Sequence, residues 1–298
     1  MMNIETAHTV TRDIRTEIQR INEVVSFPPV VAEILQAMSD QNVTTTKVIA
    51  LIESDQGLTA KILRVANSPF YGLRSDVTNT AQALRMLGLD EIGHLLLTCQ
   101  MKSRLMSLNT QQQSRLEILW KHSVATASVS RLLANRFRLP TDGKEYTAGL
   151  LHDMGKLVLI QYFPAQYAAI ESMIITASKK DIDAEREMIS IAHTEIGKQI
   201  GEKWRLPKDY LDVMQYHHRP ASSSNYSLLA SVVRLADLFC EQWGFGIAEQ
   251  TEGFSIDTDC LGILAEFDLR FKNMPVEQLG AEIRSEFEKN LEMIEILS

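Results

Sequence analysis

Five of the seven histidines and two aspartates are the residues whose types and positions could do chemistry. Each lies beside an apolar helical face or at a predicted helix end, where a polar side chain is costly to bury without a partner. Imidazole nitrogen and carboxylate oxygen together suit cations such as iron, zinc, manganese and nickel. The set therefore predicts a metal site, with the candidate ligands His122, His152, Asp153, His193, His217, His218 and Asp237.

The central stretch is Gly149–Leu157, which reads GLLHDMGKL, and in it His152 and Asp153 interrupt an apolar run. A bound divalent metal would pair with both side chains at once. A structural interpretation is also open, in which His152 caps a helix end and Asp153 accepts backbone hydrogen bonds. The dipeptide alone favours the structural interpretation. The other histidines and aspartates along the chain favour the metal.

Taken singly, the other candidates have structural alternatives as well. Asp237 lies on an apolar helical face, and Arg234, three residues earlier, could pair with it in place of a metal. His193 could be a core histidine at a helix start, and His217-His218 could cap a helix end. Only as a set spread over separate helices do these residues favour a metal.

The number of candidates exceeds the needs of one tetrahedral zinc ion. They could hold one six-coordinate ion, or two ions roughly 3.5–4 Å apart with Asp153 as the bridge. In the two-ion case a bridging water would become acidic enough to attack a phosphorus ester. Lys156, one turn after His152, could then meet a phosphate oxygen, or it could simply be a cation near a helix C-terminus. Asp153 and Lys156 are thus the candidate catalytic residues.

Composition narrows the classes of protein. A chain of 298 residues with 45% hydrophobic and 23% charged residues can bury a sizeable core. The net charge of −8 argues against nucleic acid as a partner. The sequence shows no apolar run of about 18 residues and no signal peptide at its start, so no membrane segment is expected. Three widely spaced cysteines, Cys99, Cys240 and Cys260, suggest a reducing cytoplasm.

Apolar residues recur at spacings of three and four, with little strict alternation, which predicts an all-α protein. Residues 1–108 are expected to form a helical packet for structure or docking, residues 109–245 a multi-helix bundle with the candidate site, and residues 246–298 a helical extension. An exposed stripe on the last helix could mediate dimerisation, although packing onto the bundle is favoured. The predicted helices are 4–24, 30–38, 47–53, 58–66, 79–87, 89–104, 114–136, 145–162, 165–178, 183–192, 193–204, 210–216, 228–243, 261–267 and 276–297.

The order of His122, His152-Asp153 and Asp237 resembles the H…HD…D order of the HD superfamily of metal-dependent phosphohydrolases. The wider layout, over roughly residues 25–245, is similar to the HDOD family, a bacterial branch of that superfamily associated with signal transduction. The features that match are Phe27-Pro28-Pro29, Asp55-Gln56-Gly57-Leu58-Thr59, Ala66-Asn67-Ser68-Pro69-Phe70-Tyr71, the HDMGK phrase, His193 to Pro207, and His217-His218-Arg219-Pro220.

The candidate ligands also resemble those of the HD-GYP cyclic-di-GMP phosphodiesterases, with two departures. Arg219-Pro220-Ala221 stands where the glycine-tyrosine-proline signature should follow the paired histidines. Ile118 stands where those enzymes often carry a glutamate, four residues before the first histidine. Both departures argue against hydrolysis of a cyclic dinucleotide.

What the HDOD resemblance implies is an HD-domain-like helical bundle in a cytoplasmic regulatory protein, with a divalent transition metal and a protein partner. Members of that branch are often regarded as lacking demonstrated hydrolase activity, so activity here could be vestigial. The alternative is an active metal-dependent phosphohydrolase with a nucleotide, cyclic-dinucleotide or other phosphoester ligand. A metal-free helical scaffold, in which the histidines are core or capping residues, is a third hypothesis.

Overall fold

The computed structural model describes residues 17–18, 33, 45–53, 56–68, 76–107, 110–247 and 258–289. Within these ranges all regular structure is helical, which confirms the predicted all-α class. The predicted helices over 4–24 and 30–38, the segment Phe27-Pro28-Pro29, Asp55 and Pro69-Phe70-Tyr71 lie outside the described residues. Among the described residues, no helix combines the length and apolar character that crossing a membrane requires.

The first four described helices form the N-terminal packet: α1 (Thr45–Glu53), α2 (Gln56–Ala66), α3 (Thr80–Leu87) and α4 (Leu89–Met106). Asn79 begins α3 as an N-cap, because its side chain accepts a hydrogen bond from the Gln82 backbone amide at 2.8 Å. Gly88, at φ 87°, then turns the chain directly into α4. A shared apolar core holds these helices together.

The central element is α5 (Gln113–Phe137), which is buried along most of its length. Small residues such as Ala125, Ala127 and Ser128 on its buried faces allow neighbouring helices to approach closely. The helix ends at Arg138, which adopts a left-handed conformation at φ 51°. This long buried helix carries His122 in its second quarter.

The His-Asp pair lies at a break between two helices and not within one helix over 145–162, as the spacing predicted. The structure has α6 (Glu145–Leu151) and α7 (Met154–Tyr162) with the pair between them. The His152 ring bonds the Gly149 carbonyl oxygen, and Asp153 leaves the helical region at φ −100°, ψ 12°. The single-helix prediction is therefore wrong. Adjacent residues of an unbroken helix point about 100° apart, whereas both of these side chains point into the candidate site.

Five further helices complete the bundle: α8 (Pro164–Ala177), α9 (Asp181–Ile189), α10 (His193–Lys203), α11 (Lys208–Tyr216) and α12 (Ser227–Cys240). After α12 the chain forms a π-helical turn over Glu241–Phe245, where an α-helix to residue 243 was predicted. Gly244 permits this turn at φ 85°. These bounds place the polar candidates at helix ends, where their side chains can converge.

The last described helices are α13 (Thr258–Ala265), α14 (Arg270–Asn273) and α15 (Val276–Glu288). The helix α15 packs on the bundle, as favoured, because Leu279, Ile283 and Phe287 are buried. Arg136 of α5 also forms ion pairs with Glu282 and Glu286 of α15. The predicted continuation to residue 297 lies outside the described residues.

The N-terminal packet meets the bundle through a buried polar contact. Thr98 of α4 lies 3.1 Å from the hydroxyl of Tyr146 of α6, and the His94 ring packs against the Tyr146 ring at 4.7 Å. Arg131 of α5 lies over the same ring and forms an ion pair with Glu91 of α4. The packet is thereby fixed to the two helices that lead into the candidate site.

Candidate metal centre

The structure brings all seven candidate ligands into one buried cluster. His122 projects from α5, the His152-Asp153 pair from the break between α6 and α7, and His193 from the first residue of α10. His217 and His218 directly follow α11, and Asp237 lies in the last turn of α12. Helices that are distant in sequence thus deliver their polar side chains to a common point.

One group of possible ligands contains three imidazoles and one carboxylate. The Nε2 atom of His193 lies 3.2 Å from that of His218 and 3.4 Å from that of His217. It also lies 3.2 Å from Oδ1 of Asp153. Four ligand atoms that lie within 4.8 Å of one another have the spacing that a single metal ion needs. We call this set the three-histidine group.

A second group lies on the other side of Asp153. The Nε2 atoms of His122 and His152 are 3.3 Å apart, and each lies 3.5 Å from Oδ2 of Asp153. Oδ1 of Asp237 lies 3.2 Å from His122 Nε2 and 3.8 Å from His152 Nε2. We call this set the two-histidine group. Asp153 joins the two groups, with Oδ1 facing the first and Oδ2 facing the second.

Outer hydrogen bonds fix the direction of the histidine rings. Nδ1 of His152 lies 2.7 Å from the Gly149 carbonyl oxygen, and Nδ1 of His217 lies 3.0 Å from the Val213 carbonyl oxygen. A carbonyl only accepts, so each ring donates from Nδ1. In the neutral ring the lone pair is then on Nε2, which faces the cluster. This arrangement is typical of histidines that bind metals.

The residues present fit a cation. Oδ1 of Asp153 is buried and has no hydrogen-bond partner among the described residues. His217 presents a lone pair to the same space, and a protonated His193 could supply only one N–H for these acceptors. A divalent ion would satisfy all of these atoms at once. Chemically, the donor set is the nitrogen and oxygen mixture that borderline transition metals prefer.

The electrostatics of the cluster also favour positive charge. Burial alone would lower the pKa of His193, but the carboxylates of Glu185 and Asp153 raise it to about 10. Burial would raise the pKa of Asp153, yet the charges of Lys156, His152 and His193 hold it well below its usual range. By contrast, burial and neighbouring positive charge lower the pKa of His217 well below its usual value. Without metal the cluster therefore combines ionised carboxylates with a charged His193 and a neutral His217.

Asp237 forms the local ion pair with Arg234 and also faces the cluster. Its Oδ2 accepts a hydrogen bond from Arg234 at 2.8 Å, while Oδ1 faces His122. Burial would raise the pKa of Asp237, but hydrogen bonds from His122 and His152 and the charge of Arg234 hold it well below its usual range. The local ion pair thus orients the carboxylate and leaves its second oxygen toward the cluster.

Lys156 lies in the first turn of α7, so the alternative of a cation near a helix C-terminus is wrong. Its ammonium group is buried and donates a hydrogen bond to Oδ2 of Asp153 at 2.8 Å. It also forms an ion pair with Asp181 at 2.9 Å. Although burial would lower the pKa of Lys156, Asp153 and Asp181 hold it well above its usual value.

Sequence reasoning missed two acidic residues of α9. Glu185 bonds the ring and backbone of His193, and Asp181 pairs with Lys156. In sequence they belong to an acidic helix start, DIDAERE, whose many charged residues are typical of a solvent-exposed helix. The one available signal was the helical spacing of Asp181, Ala184 and Glu185. Ile118, the residue in place of the HD-GYP glutamate, is 42% exposed and contributes no ligand atom.

Comparison with known families agrees with the fold. The HDOD domain model matches residues 24–220, which is most of the chain. The chain belongs to the HDOD family. The match includes the candidate ligands from His122 to His218 and ends before Asp237.

Solved structures share the HDOD fold of this chain. An HDOD domain protein of unknown function from Geobacter sulfurreducens is 24% identical with a TM-score of 0.76, covering 98% of this chain and 97% of that one. A candidate signal-transduction protein from Marinobacter aquaeolei is 21% identical with a TM-score of 0.74, covering 97% of this chain and 66% of that one. A candidate metal-dependent phosphohydrolase from Shewanella amazonensis is 17% identical with a TM-score of 0.60, covering 90% and 91%. At these identities the likeness shows the fold alone.

Among curated proteins, an uncharacterized protein of Treponema pallidum is 26% identical over 249 residues, or 79% of this chain. The same alignment covers 46% of the relative. The chain therefore spans about half the length of this curated relative.

Proposed function

We propose that this HDOD protein is a regulatory signal-transduction protein whose HD-like bundle binds a divalent transition metal. The observation that carries the proposal is the pair of ligand groups that share Asp153, one facing each carboxylate oxygen. Iron, manganese, zinc and nickel are the ions that suit this donor set. The two groups have room for one ion each, with Asp153 as the bridge.

In this proposal the residues divide into two ligand sets. His193, His217, His218 and Oδ1 of Asp153 hold the ion of the three-histidine group. His122, His152, Asp237 and Oδ2 of Asp153 hold the ion of the two-histidine group. Lys156 keeps Asp153 ionised, and Arg234 does the same for Asp237. These cations also reduce the repulsion between the two carboxylates when the site is empty of metal.

The regulatory part of the proposal draws on the HDOD family and on the N-terminal packet. Residues 1–108 form a docking unit for a protein partner in this proposal, residues 109–245 the bundle, and residues 246–298 an extension. The contact of His94 and Thr98 with Tyr146 would transmit a change in the packet to α6, which leads into the His-Asp pair. The widely spaced cysteines favour a cytoplasmic location.

A second candidate function is an active metal-dependent phosphohydrolase that acts on a nucleotide, a cyclic dinucleotide or another phosphoester. The bridging position of Asp153 favours it, because this arrangement is typical of two-metal phosphoesterases. Two bound ions supply an acidified water and neutralise the charge of the phosphate. Lys156 would hold Asp153 in place while its ammonium group also lies within the cluster. The departures at Ile118 and at Arg219-Pro220-Ala221 argue against a cyclic dinucleotide as the substrate.

The first test is elemental analysis of protein purified without added metal and without a histidine tag, beside the Asp153→Asn variant. We expect one or two equivalents of transition metal in the wild type and a large loss in the variant. Asp142→Asn is the matched control, because Asp142 is exposed and its left-handed backbone at φ 54° tolerates asparagine. Wild-type protein that holds no metal and takes up none on reconstitution would contradict the proposal and favour the metal-free scaffold.

A second test separates regulation from hydrolysis. Metal-loaded protein is assayed against a panel of phosphoesters with manganese or iron. Turnover that Asp153→Asn abolishes would establish a hydrolase, whereas flat progress curves across the panel would exclude those substrates. Binding of a captured partner that survives Asp153→Asn supports the regulatory function. Loss of partner binding in both Asp153→Asn and Asp142→Asn would instead indicate a nonspecific folding defect.

A further inference from the structure

The helix α9 provides none of the seven candidate ligands, yet two of its carboxylates point into the cluster. The Glu185 side chain is 1% exposed, and that of Asp181, one turn earlier, is 14% exposed. Between them Ala184 is fully buried. Burial of two carboxylates on one short helix is costly unless each meets a specific partner. Those partners are His193 and Lys156.

Glu185 holds His193 by three contacts. Its carboxylate accepts a hydrogen bond from the His193 backbone amide at 2.7 Å, and its two oxygens lie 2.8 and 2.9 Å from Nδ1 of the His193 ring. The chain permits this because α9 ends at Ser190, at φ 57°, and then turns back to begin α10. A carboxylate only accepts, so the ring donates from Nδ1, and Nε2 faces Oδ1 of Asp153.

Asp181 pairs with Lys156 through a single charged contact, and Nε2 of the candidate ligand His218 lies 3.7 Å from the same oxygen. The Lys156 ammonium group lies 2.9 Å from Oδ2 of Asp181 and donates to Oδ2 of Asp153 at 2.8 Å. The other acidic residues of α9 behave differently, because Asp183 and Glu187 are exposed. Glu187 pairs at the surface with Lys179. One face of α9 therefore contacts the cluster, and the other face is exposed to solvent.

We propose that α9 is a positioning helix of the metal centre, through which Glu185 orients the His193 ring while Asp181, through Lys156, orients Oδ2 of Asp153. This inference rests on the proposed metal binding. A ligand histidine and the bridging carboxylate are thus both positioned from a single helix. The carboxylate behind a ligating histidine also strengthens that histidine as a donor to the metal. Asp181 and Glu185 are positioning residues and touch no reacting group.

The test compares Asp181→Asn and Glu185→Gln with matched controls on the same helix, Asp183→Asn and Glu187→Gln. Metal affinity is measured by competition with a chromophoric chelator. We expect each positioning variant to bind metal about 10–100-fold more weakly, which is the usual effect of losing an outer partner of a ligand. Both controls should stay within about twofold of the wild type. Each substitution keeps the size of the side chain and one acceptor oxygen, but it removes the charge and replaces the second acceptor with a donor.

A second readout does not need metal. The Nδ1–H proton of His193 is bonded to a carboxylate, so metal-free protein should show it as a strongly downfield signal in proton NMR. The assignment is made from the loss of the signal in His193→Gln. In Glu185→Gln we expect this proton to move upfield or to exchange faster, and in Glu187→Gln we expect no change. A general loss of structure would disturb the whole spectrum and is thereby distinguished.

The outcomes separate the two proposals. If the wild type binds metal and all four variants match it, the positioning inference is overturned and the metal site stands. If the wild type binds no metal, the proposed function is overturned, and the His193 signal decides the inference. An unchanged His193 signal in Glu185→Gln then overturns the positioning inference as well. A shifted signal in that variant, but not in Glu187→Gln, supports the hydrogen bond between Glu185 and His193.

Discussion

His94 and His193 are both buried histidines, yet their neighbours drive their pKa values in opposite directions. Burial and the positive charge of Arg131 lower the pKa of His94 to about 3. For His193 the carboxylates of Glu185 and Asp153 outweigh burial and raise the pKa to about 10. The partner, and not burial alone, decides whether an imidazole carries charge. His94 is therefore a neutral packing residue, while His193 lies where positive charge is favoured.

His94 gives a stability prediction with a definite sign. Its folded pKa lies below its unfolded value, so the unfolded chain alone takes up a proton as the pH falls through about 6.5. Stability should fall from there toward pH 3. Between pH 7 and pH 5 the wild type should lose about 2 kcal/mol more unfolding free energy than His94→Leu. Urea titrations at both pH values measure this. Met101→Leu, also buried in α4, should retain the wild-type pH dependence, and a parallel dependence in His94→Leu would contradict the prediction.

Arg234 gives a second prediction at the residue scale. Because it pairs with the outer oxygen of buried Asp237, Arg234→Met should lower the unfolding free energy of the metal-free protein by about 3–5 kcal/mol. The exposed pair of Arg284 and Glu288 provides the control, and Arg284→Met should cost less than about 1 kcal/mol. Chemical denaturation measures both. Equal effects of the two substitutions would show that Arg234 does not compensate the buried charge of Asp237.

At the scale of elements, α7 and α10 cross in close contact beside the cluster. A Cβ atom added at Gly155 would lie 1.9 Å from the His193 carbonyl oxygen and 2.8 Å from the Gly197 amide nitrogen. Those neighbours are backbone atoms, which cannot move aside without moving α10. The glycine therefore sets the distance between Asp153, two residues before it, and His193. It is needed for close approach and not for an unusual backbone angle.

Gly155→Ala should therefore destabilise the protein by about 1–3 kcal/mol or more, as overpacking does, and should weaken metal binding by displacing His193. Gly262→Ala is the matched control, because Gly262 lies in α13 with open space around its Cβ position. That substitution should be neutral or stabilise by up to about 1 kcal/mol, the difference in helix propensity. Denaturation and chelator competition measure the two effects. Equal stability of the two variants would mean that the crossing can widen at little cost.

At the scale of the whole molecule, the cluster ties together four helices (α5, α10, α11 and α12) and the break between α6 and α7. Its residues come from positions 122 to 237, so their convergence closes long loops of chain. A metal that binds only the folded state stabilises that state by mass action. A metal bound at this site would thus stabilise the whole bundle, in addition to any role in signalling or chemistry.

Removal of metal should consequently lower stability. With free metal at 100 times its dissociation constant, the folded state gains about 2.7 kcal/mol, and chelation should remove this gain. For a chain of this size the loss corresponds to a fall of about 4 °C in Tm. Calorimetry with and without chelator measures it. Asp153→Asn should show no difference between the two conditions, while Asp142→Asn should behave as the wild type does.

The sequence by itself determined the helical class, the family resemblance and the candidate ligands. It could do so because a histidine or aspartate on an apolar stripe is visible without knowledge of the fold, as His122 and Asp237 show. Only the tertiary structure decided how those residues divide between the two oxygens of Asp153 and which acidic residues support them. Asp181, Asp183, Glu185 and Glu187 have the same charge and nearly the same spacing, and packing of α9 alone turned two of them inward. The close crossing at Gly155 was also decided there, because the distance between two helices depends on atoms that are far apart in the chain.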